Sequence, residues 1–119
     1  MRIEGSIDSR LIPTIKLAIV PGTAPLDWLV DSGFNGDLMM PVKLIRKLRM
    51  PRKGFVPCEL ADGKIVLLPA YEWQIRLMKR RRRVSVIASN SSMPAVGLQL
   101  LVGTRLMIDL AQWALEIED

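Results

Sequence analysis

Apolar and polar positions alternate along several stretches of this chain, and the alternation predicts strands. Within Leu11 to Val20, Ile15, Leu17 and Ile19 alternate with Lys16 and Ala18, and Pro13 suits an edge position. Pro21-Gly22-Thr23-Ala24-Pro25 has the composition of a turn, after which Leu26 to Val30 returns as the second strand of a hairpin. Phe55 to Leu60 and Ile65 to Ile75 are separated by Ala61-Asp62-Gly63-Lys64, and Asp-Gly between two apolar runs is a strong hairpin signal. Gln74 to Met78 and Val84 to Ala88 predict two further strands joined by Lys79-Arg80-Arg81-Arg82-Arg83. Leu106, Ile108 and Leu110 share one face of Arg105 to Leu110, and Trp113 to Ile117 follows after a short turn. Residues 2–10 are expected to be a polar lead-in. One stretch changes to helical spacing: Val42/Ile45 and Leu44/Leu48 form an apolar stripe, with Pro41 in the first turn and Pro51 beyond its end. Its Lys43, Arg46, Lys47 and Arg49 are expected on a solvated face. The pattern predicts an all-β domain spanning residues 1–119, with one or two short helices.

Composition narrows the chemistry. With 119 residues, half of them apolar and few aromatic, the chain can bury one modest core, and a second domain does not fit. No charged segment followed by an apolar stretch opens it, and no apolar run is long enough for a bilayer, so a cytoplasmic location without membrane partners is expected. The single Cys58 cannot form an internal disulfide and is expected as a small half-buried strand residue. Without histidine there is no Ser-His or Cys-His pair, and the usual zinc sets lack ligands. No metal or cofactor is expected, and any hydrolysis must rely on carboxylates. The net charge is +5, and the five consecutive cations from Lys79 to Arg83 repel one another, which favours an exposed, solvated turn. Such a run also attracts nucleic acid or an acidic partner, but no aromatic or glycine-rich pattern of the common RNA modules accompanies it.

The chemistry-bearing stretch is Trp28-Leu29-Val30 running into Asp31-Ser32-Gly33-Phe34-Asn35-Gly36. An apolar strand here ends in a tight turn that presents a carboxylate at its tip. Gly33 and Gly36 permit the backbone to fold back, and Ser32 can hydrogen-bond to a close neighbour without adding bulk. On these residues alone, a turn without chemistry and a held catalytic acid are both open.

Val30 to Gly36 resembles the active-site loop of the retropepsin-like (clan AA) aspartic proteases, whose signature is Asp-Thr/Ser-Gly after an apolar strand. The small cellular, mostly prokaryotic members often continue with Phe-x-Gly and Leu-x-x-Pro, matched by Leu38-Met39-Met40-Pro41. A second match lies in Pro94 to Leu101. Two apolar residues and a glycine, Ala95-Val96-Gly97, followed by Leu100-Leu101, resemble the family's strand that passes beside the catalytic loop and turns into a helix. The resemblance covers almost the whole chain, with elements in the same order. It implies a half-barrel of the acid-protease type that works as a homodimer, with terminal strands interleaving between the two chains. It also implies that the hairpin from Phe55 to Ile75 is the flap over the substrate; from the residues alone, an ordinary surface hairpin is equally open. Asp31, Ser32 and Gly33 are the implied catalytic loop, and Asn35, Gly36, Asp62, Gly63 and Val96 are candidates for lining the substrate site. One departure stands out. In the retroviral enzymes an arginine after the apolar-apolar-Gly pairs with a carboxylate four residues beyond the catalytic aspartate, whereas here those positions are Leu98 and Asn35. Both partners are missing together, so no unpaired charge is left.

The reaction sets the assembly. Peptide hydrolysis without metal or nucleophile needs one carboxylate to accept a proton from water and another carboxyl to hydrogen-bond the scissile carbonyl. Two such groups sharing a proton split their apparent pKa values, the known behaviour of aspartic proteases. The chain holds one Asp-Ser-Gly; Asp27, Asp37, Asp62 and Asp109 lack that setting and are expected at turns, strand ends or the surface. The second acid is therefore expected from another copy across a twofold axis, acting on a peptide or protein substrate. Two other functions are carried alongside: a catalytically silent binding domain of the same fold, and a basic nucleic-acid-binding module using Lys79 to Arg83.

Overall fold

A computed structural model describes residues 1–119. The strands are β1 (Arg2–Ile7), β2 (Pro13–Leu17), β3 (Leu26–Val30), β4 (Leu38–Pro41), β5 (Arg52–Glu59), β6 (Ile65–Leu77), β7 (Arg80–Ser89), β8 (Ala95–Val96), β9 (Arg105–Asp109) and β10 (Ala114–Glu118), with one helix, α1 (Val42–Lys47). All ten strands join one sheet in the order β5-β6-β7-β4-β8-β3-β2-β1-β10-β9. Antiparallel hairpins make its two wings. At the centre, β8 pairs parallel to β3 and antiparallel to β4, and β4 pairs parallel to β7. The sheet wraps a core built from alternating inward positions, among them Ile15, Leu17, Trp28, Val30, Leu38, Met40, Val86, Val96, Leu115 and Ile117. Two indoles are satisfied while packed: Trp28 Nε1 donates to the Leu17 carbonyl at 2.9 Å, and Trp73 Nε1 to the Ile19 carbonyl at 3.0 Å. No helix is long and apolar enough to cross a membrane.

The predicted hairpins β2/β3 and β5/β6 form, as does the short helix, which buries Ile45 and ends with Arg46 and Lys47 in its last turn. Four expectations change. Residues 2–10 are not a lead-in, because Arg2 to Ser6 pairs with Glu118 to Ala114 in register and closes the two ends of the chain on each other. Leu38 to Pro41, to which the pattern assigned no element, is a strand, and Pro41 precedes α1 as its cap residue instead of standing in its first turn. The segment after Gly97 does not become a helix: Leu101, Val102 and Thr104 donate to carbonyls three residues back, which makes successive turns ending at Gly103 with φ +89°. The basic run is not a turn.

That last correction has a local cause. Met78 and Lys79, with φ of 51° and 64°, make a two-residue turn, and Leu77 already pairs with Arg80. Two left-handed residues in succession match the right-handed twist of the flanking strands, a geometry usually signalled by Asn-Gly. Arg80 to Arg83 thereby enter the ladder opposite Leu77, Arg76, Ile75 and Gln74.

Candidate active site

Asp31 follows the last residue of β3, a strand locked on both sides. Leu29 N–H donates to the Pro94 carbonyl and Asp31 N–H to the Val96 carbonyl, each at 2.9 Å. The loop beyond is strapped by the segment that follows β8. Gly97 N–H donates to the Asp37 carbonyl at 2.9 Å, Leu98 N–H to Phe34 at 2.9 Å and Gln99 N–H to Gly36 at 3.2 Å. These bonds require the two backbones to run in contact. A Cβ on Gly97 would collide with the Gly36 carbonyl oxygen and lie 2.8 Å from that of Phe34, so only glycine fits there.

The Asp31 carboxylate is oriented from within its own turn. Gly33 N–H donates to Oδ1 at 3.0 Å, and Phe34 N–H donates to the Asp31 carbonyl at 3.1 Å. Asp31 is half-buried and takes part in none of the chain's ion pairs, which engage Asp8, Asp27, Glu4, Glu116, Glu118 and Asp119. Oδ2 has no partner within the chain and is free to meet a proton donor. Ser32 is exposed beside it.

Next to this loop lies a groove of about 650 Å³. Gly33 to Asp37 form one wall, Val56 to Ala61 of the β5/β6 hairpin form the other, and Ser85 and Ile87 of β7 form the floor. Asp37 ties wall to floor, because its Oδ2 accepts from Ser85 N–H at 3.0 Å. The hairpin turns its half-buried Val56 and Cys58 inward while Phe55, Ile65 and Leu67 stand exposed.

The structure brings together Gly33, Asn35 and Gly36 from the expected set. Asp31 and Ser32 adjoin the groove without lining it within one chain. Asp62 and Gly63 form the hairpin tip, where Lys64 N–H donates to Asp62 Oδ1 at 3.0 Å and Gly63 has φ +85°; neither lines the groove. Val96 has no exposed surface: it stands behind the loop and supports it through its carbonyl. Sequence reasoning missed Phe34, Asp37 and the inward edge of β5. The alternation Val56, Cys58, Leu60 was the available signal, since the flank facing a groove follows the same period as one facing a core.

No model of a known protein family matches the sequence, and no curated protein is similar to it in sequence. Similarity appears in three dimensions. A retropepsin-like aspartic protease from Rickettsia conorii superposes with a TM-score of 0.71 at 13% identity, covering 98% of this chain and 89% of that one. The foamy viral protease-reverse transcriptase, solved in complex with an RNA/DNA hybrid, superposes with a TM-score of 0.55 at 10% identity, over 88% of this chain and 12% of that one. An Asp-Ser-Gly loop strapped by an apolar-apolar-Gly strand, within a sheet that superposes along nearly its full length, gives this chain a retropepsin-like fold.

Proposed function

We propose that this protein is an aspartic endopeptidase that works as a homodimer and hydrolyses peptide bonds with two Asp31 carboxylates, one per chain. The observation that carries the proposal is the setting of Asp31: a carboxylate held by Gly33 N–H at the mouth of a groove walled by its own loop and by the β5/β6 hairpin. One Asp31 takes a proton from the attacking water, while the protonated Asp31 of the partner subunit hydrogen-bonds the scissile carbonyl. The proton then passes to the leaving amine, and the pair returns to its singly protonated state. In this reading Ser32, exposed beside the acid, hydrogen-bonds the partner's loop and holds the two acids together.

Dimerisation is supported by apolar surface that one chain leaves uncovered. Met107, Ile108, Leu110 and Trp113 are 41 to 61% exposed on β9 and the turn after it, and β9 is an open sheet edge. Because β1 and β10 pair with each other inside one chain, this edge, rather than interleaved terminal strands, is the surface proposed for the contact. The half-buried Val56 and Cys58, with Leu60, give the groove an apolar wall that suits an extended peptide lying in it.

The test is cleavage of a mixed peptide library by the wild type and by Asp31→Asn. Cleavage inhibited by pepstatin and abolished in the variant is the expected result. Peptide binding without cleavage in either protein would overturn the enzymatic reading in favour of a silent binding domain.

A further inference from the structure

The charges of this chain are segregated. Residues 43–83 hold thirteen lysines and arginines against three carboxylates, a net of +10, while the remaining residues hold four against nine, a net of −5. Every ion pair lies in the second group: Met1–Asp119, Arg2–Glu4, Arg2–Glu116, Arg10–Asp8, Lys16–Asp27 and Arg105–Glu118. None of the cations from Lys43 to Arg83 has a carboxylate partner.

The strand register concentrates these cations on one face. Arg76 is directly opposite Arg81, and Gln74 opposite Arg83, with all four exposed on the outer face of β6/β7. Like charges facing each other across a ladder cost stability. Arg81 and Arg83, two positions apart on a strand, project side by side roughly 6.7 Å apart. A shallow depression of about 330 Å³ is bordered by Arg76 and Arg81 with Gln74, Ile75 and Pro21, and no carboxylate enters it. A second of about 320 Å³ lies beside Arg83 and Gln74, with Pro51, Trp73 and the single carboxylate of Glu72.

We propose that the outer face of β6/β7 binds the phosphate backbone of double-stranded nucleic acid without sequence preference. Three features select this partner. The cations are arginines, whose planar forks match phosphate oxygens. The face offers Gln74 and three arginines but no exposed large apolar side chain, so it lacks the buried anchor that a protein partner needs. It also lacks an exposed aromatic on which bases could stack, since Trp73 is turned inward with its indole on the Ile19 carbonyl. Backbone contact alone remains, and it positions without reading sequence.

The test measures binding of the full chain to a labelled random-sequence duplex of about 20 base pairs, to the corresponding single strand and to poly-glutamate, over about 50 to 200 mM salt. Arg76→Gln/Arg81→Gln/Arg83→Gln is compared with Arg10→Gln/Lys16→Gln/Arg105→Gln, which removes the same net charge from the paired half. The expected result is duplex binding whose affinity falls steeply with salt. The first triple variant should bind at least about tenfold more weakly, with a log-log salt slope reduced by roughly 2.7, while the second matches the wild type. Absence of duplex binding at low salt, equal loss in both variants, preference for the single strand, or poly-glutamate bound as tightly as the duplex would each overturn it. Thermal unfolding of both variants confirms that they are folded.

Discussion

Gly97 and Gly36 cross so closely that the Gly36 carbonyl oxygen occupies the space a side chain on Gly97 would need. The contact holds the loop from Asp31 to Asp37 at a fixed height, since Gly97 N–H also bonds the Asp37 carbonyl. Gly97→Ala must therefore push apart two backbones rather than a flexible side chain. The expected cost is about 1–3 kcal/mol or more, read as a lower urea midpoint. Because the displaced segment carries Asp31, activity should fall further than the folded fraction does. A variant as stable as the wild type would show that the strap yields.

How far this architecture was legible depended on whether its determinants were local. The β2/β3 and β5/β6 hairpins and α1 are encoded by short-range period and turn residues, and they appear where the pattern puts them. Strand β1 carries an alternation too, with Ile3, Gly5 and Ile7 inward, but its partner is β10 at the opposite end of the chain, and nothing local announces that pairing. The arginine run misled for a different reason. Mutual repulsion argued for a solvated turn, yet ladder hydrogen bonds with β6 outweigh it once Met78 and Lys79 adopt left-handed backbone angles. At the site, the Asp31 loop was readable because its signature residues, Asp31 to Gly36, are contiguous in the chain. The groove was not, because β5 and the Asp31 loop meet only through the folded sheet.

Asp37 joins the loop to the groove floor, and the two ends of that link can be separated. In Asp37→Ala the partly buried Ser85 N–H loses its acceptor, with an expected cost of about 1–3 kcal/mol. Asp37→Asn keeps an oxygen acceptor and should retain most of the stability. If the link positions the groove wall, the alanine variant raises KM for peptide cleavage more than it lowers kcat. Equal loss of stability in both variants would assign the effect to charge instead.

Two exposed carboxylates are expected to give the fold an acid-dependent contribution to stability. The backbone N–H of Ile12, aided by Arg10, holds Asp8 below the ordinary aspartate value of 3.8. A hydrogen bond from the Met1 ammonium does the same for Asp119, against a partial opposing effect of desolvation. Since both folded values are depressed, their stabilisation is present above 3.8 and is lost as pH falls through the lower folded value. The thermal midpoint should decline between about pH 5 and pH 2, and Asp8→Asn should flatten the part that belongs to the β1/β2 turn. An unchanged acid profile in that variant would remove Asp8 from the account.

The proposed dimer places its contact on β9 and the turn after it, where Ile108 is 41% and Leu110 61% exposed. Exposed positions tolerate a carboxylate within about 0.5 kcal/mol of fold stability, so Ile108→Asp/Leu110→Asp should melt close to the wild type. At a self-association surface the same change buries two unpaired charges. Dimerisation should then weaken by about 2 kcal/mol or more, roughly thirtyfold. Sedimentation should show monomer at concentrations where the wild type is dimeric, and peptide cleavage should disappear with it, because one chain supplies only one Asp31. Raising the protein concentration should restore activity in proportion to the dimer that re-forms. A double variant that sediments as a dimer and cleaves normally would move the contact off β9, whereas a monomer that still cleaves would remove the need for a second acid.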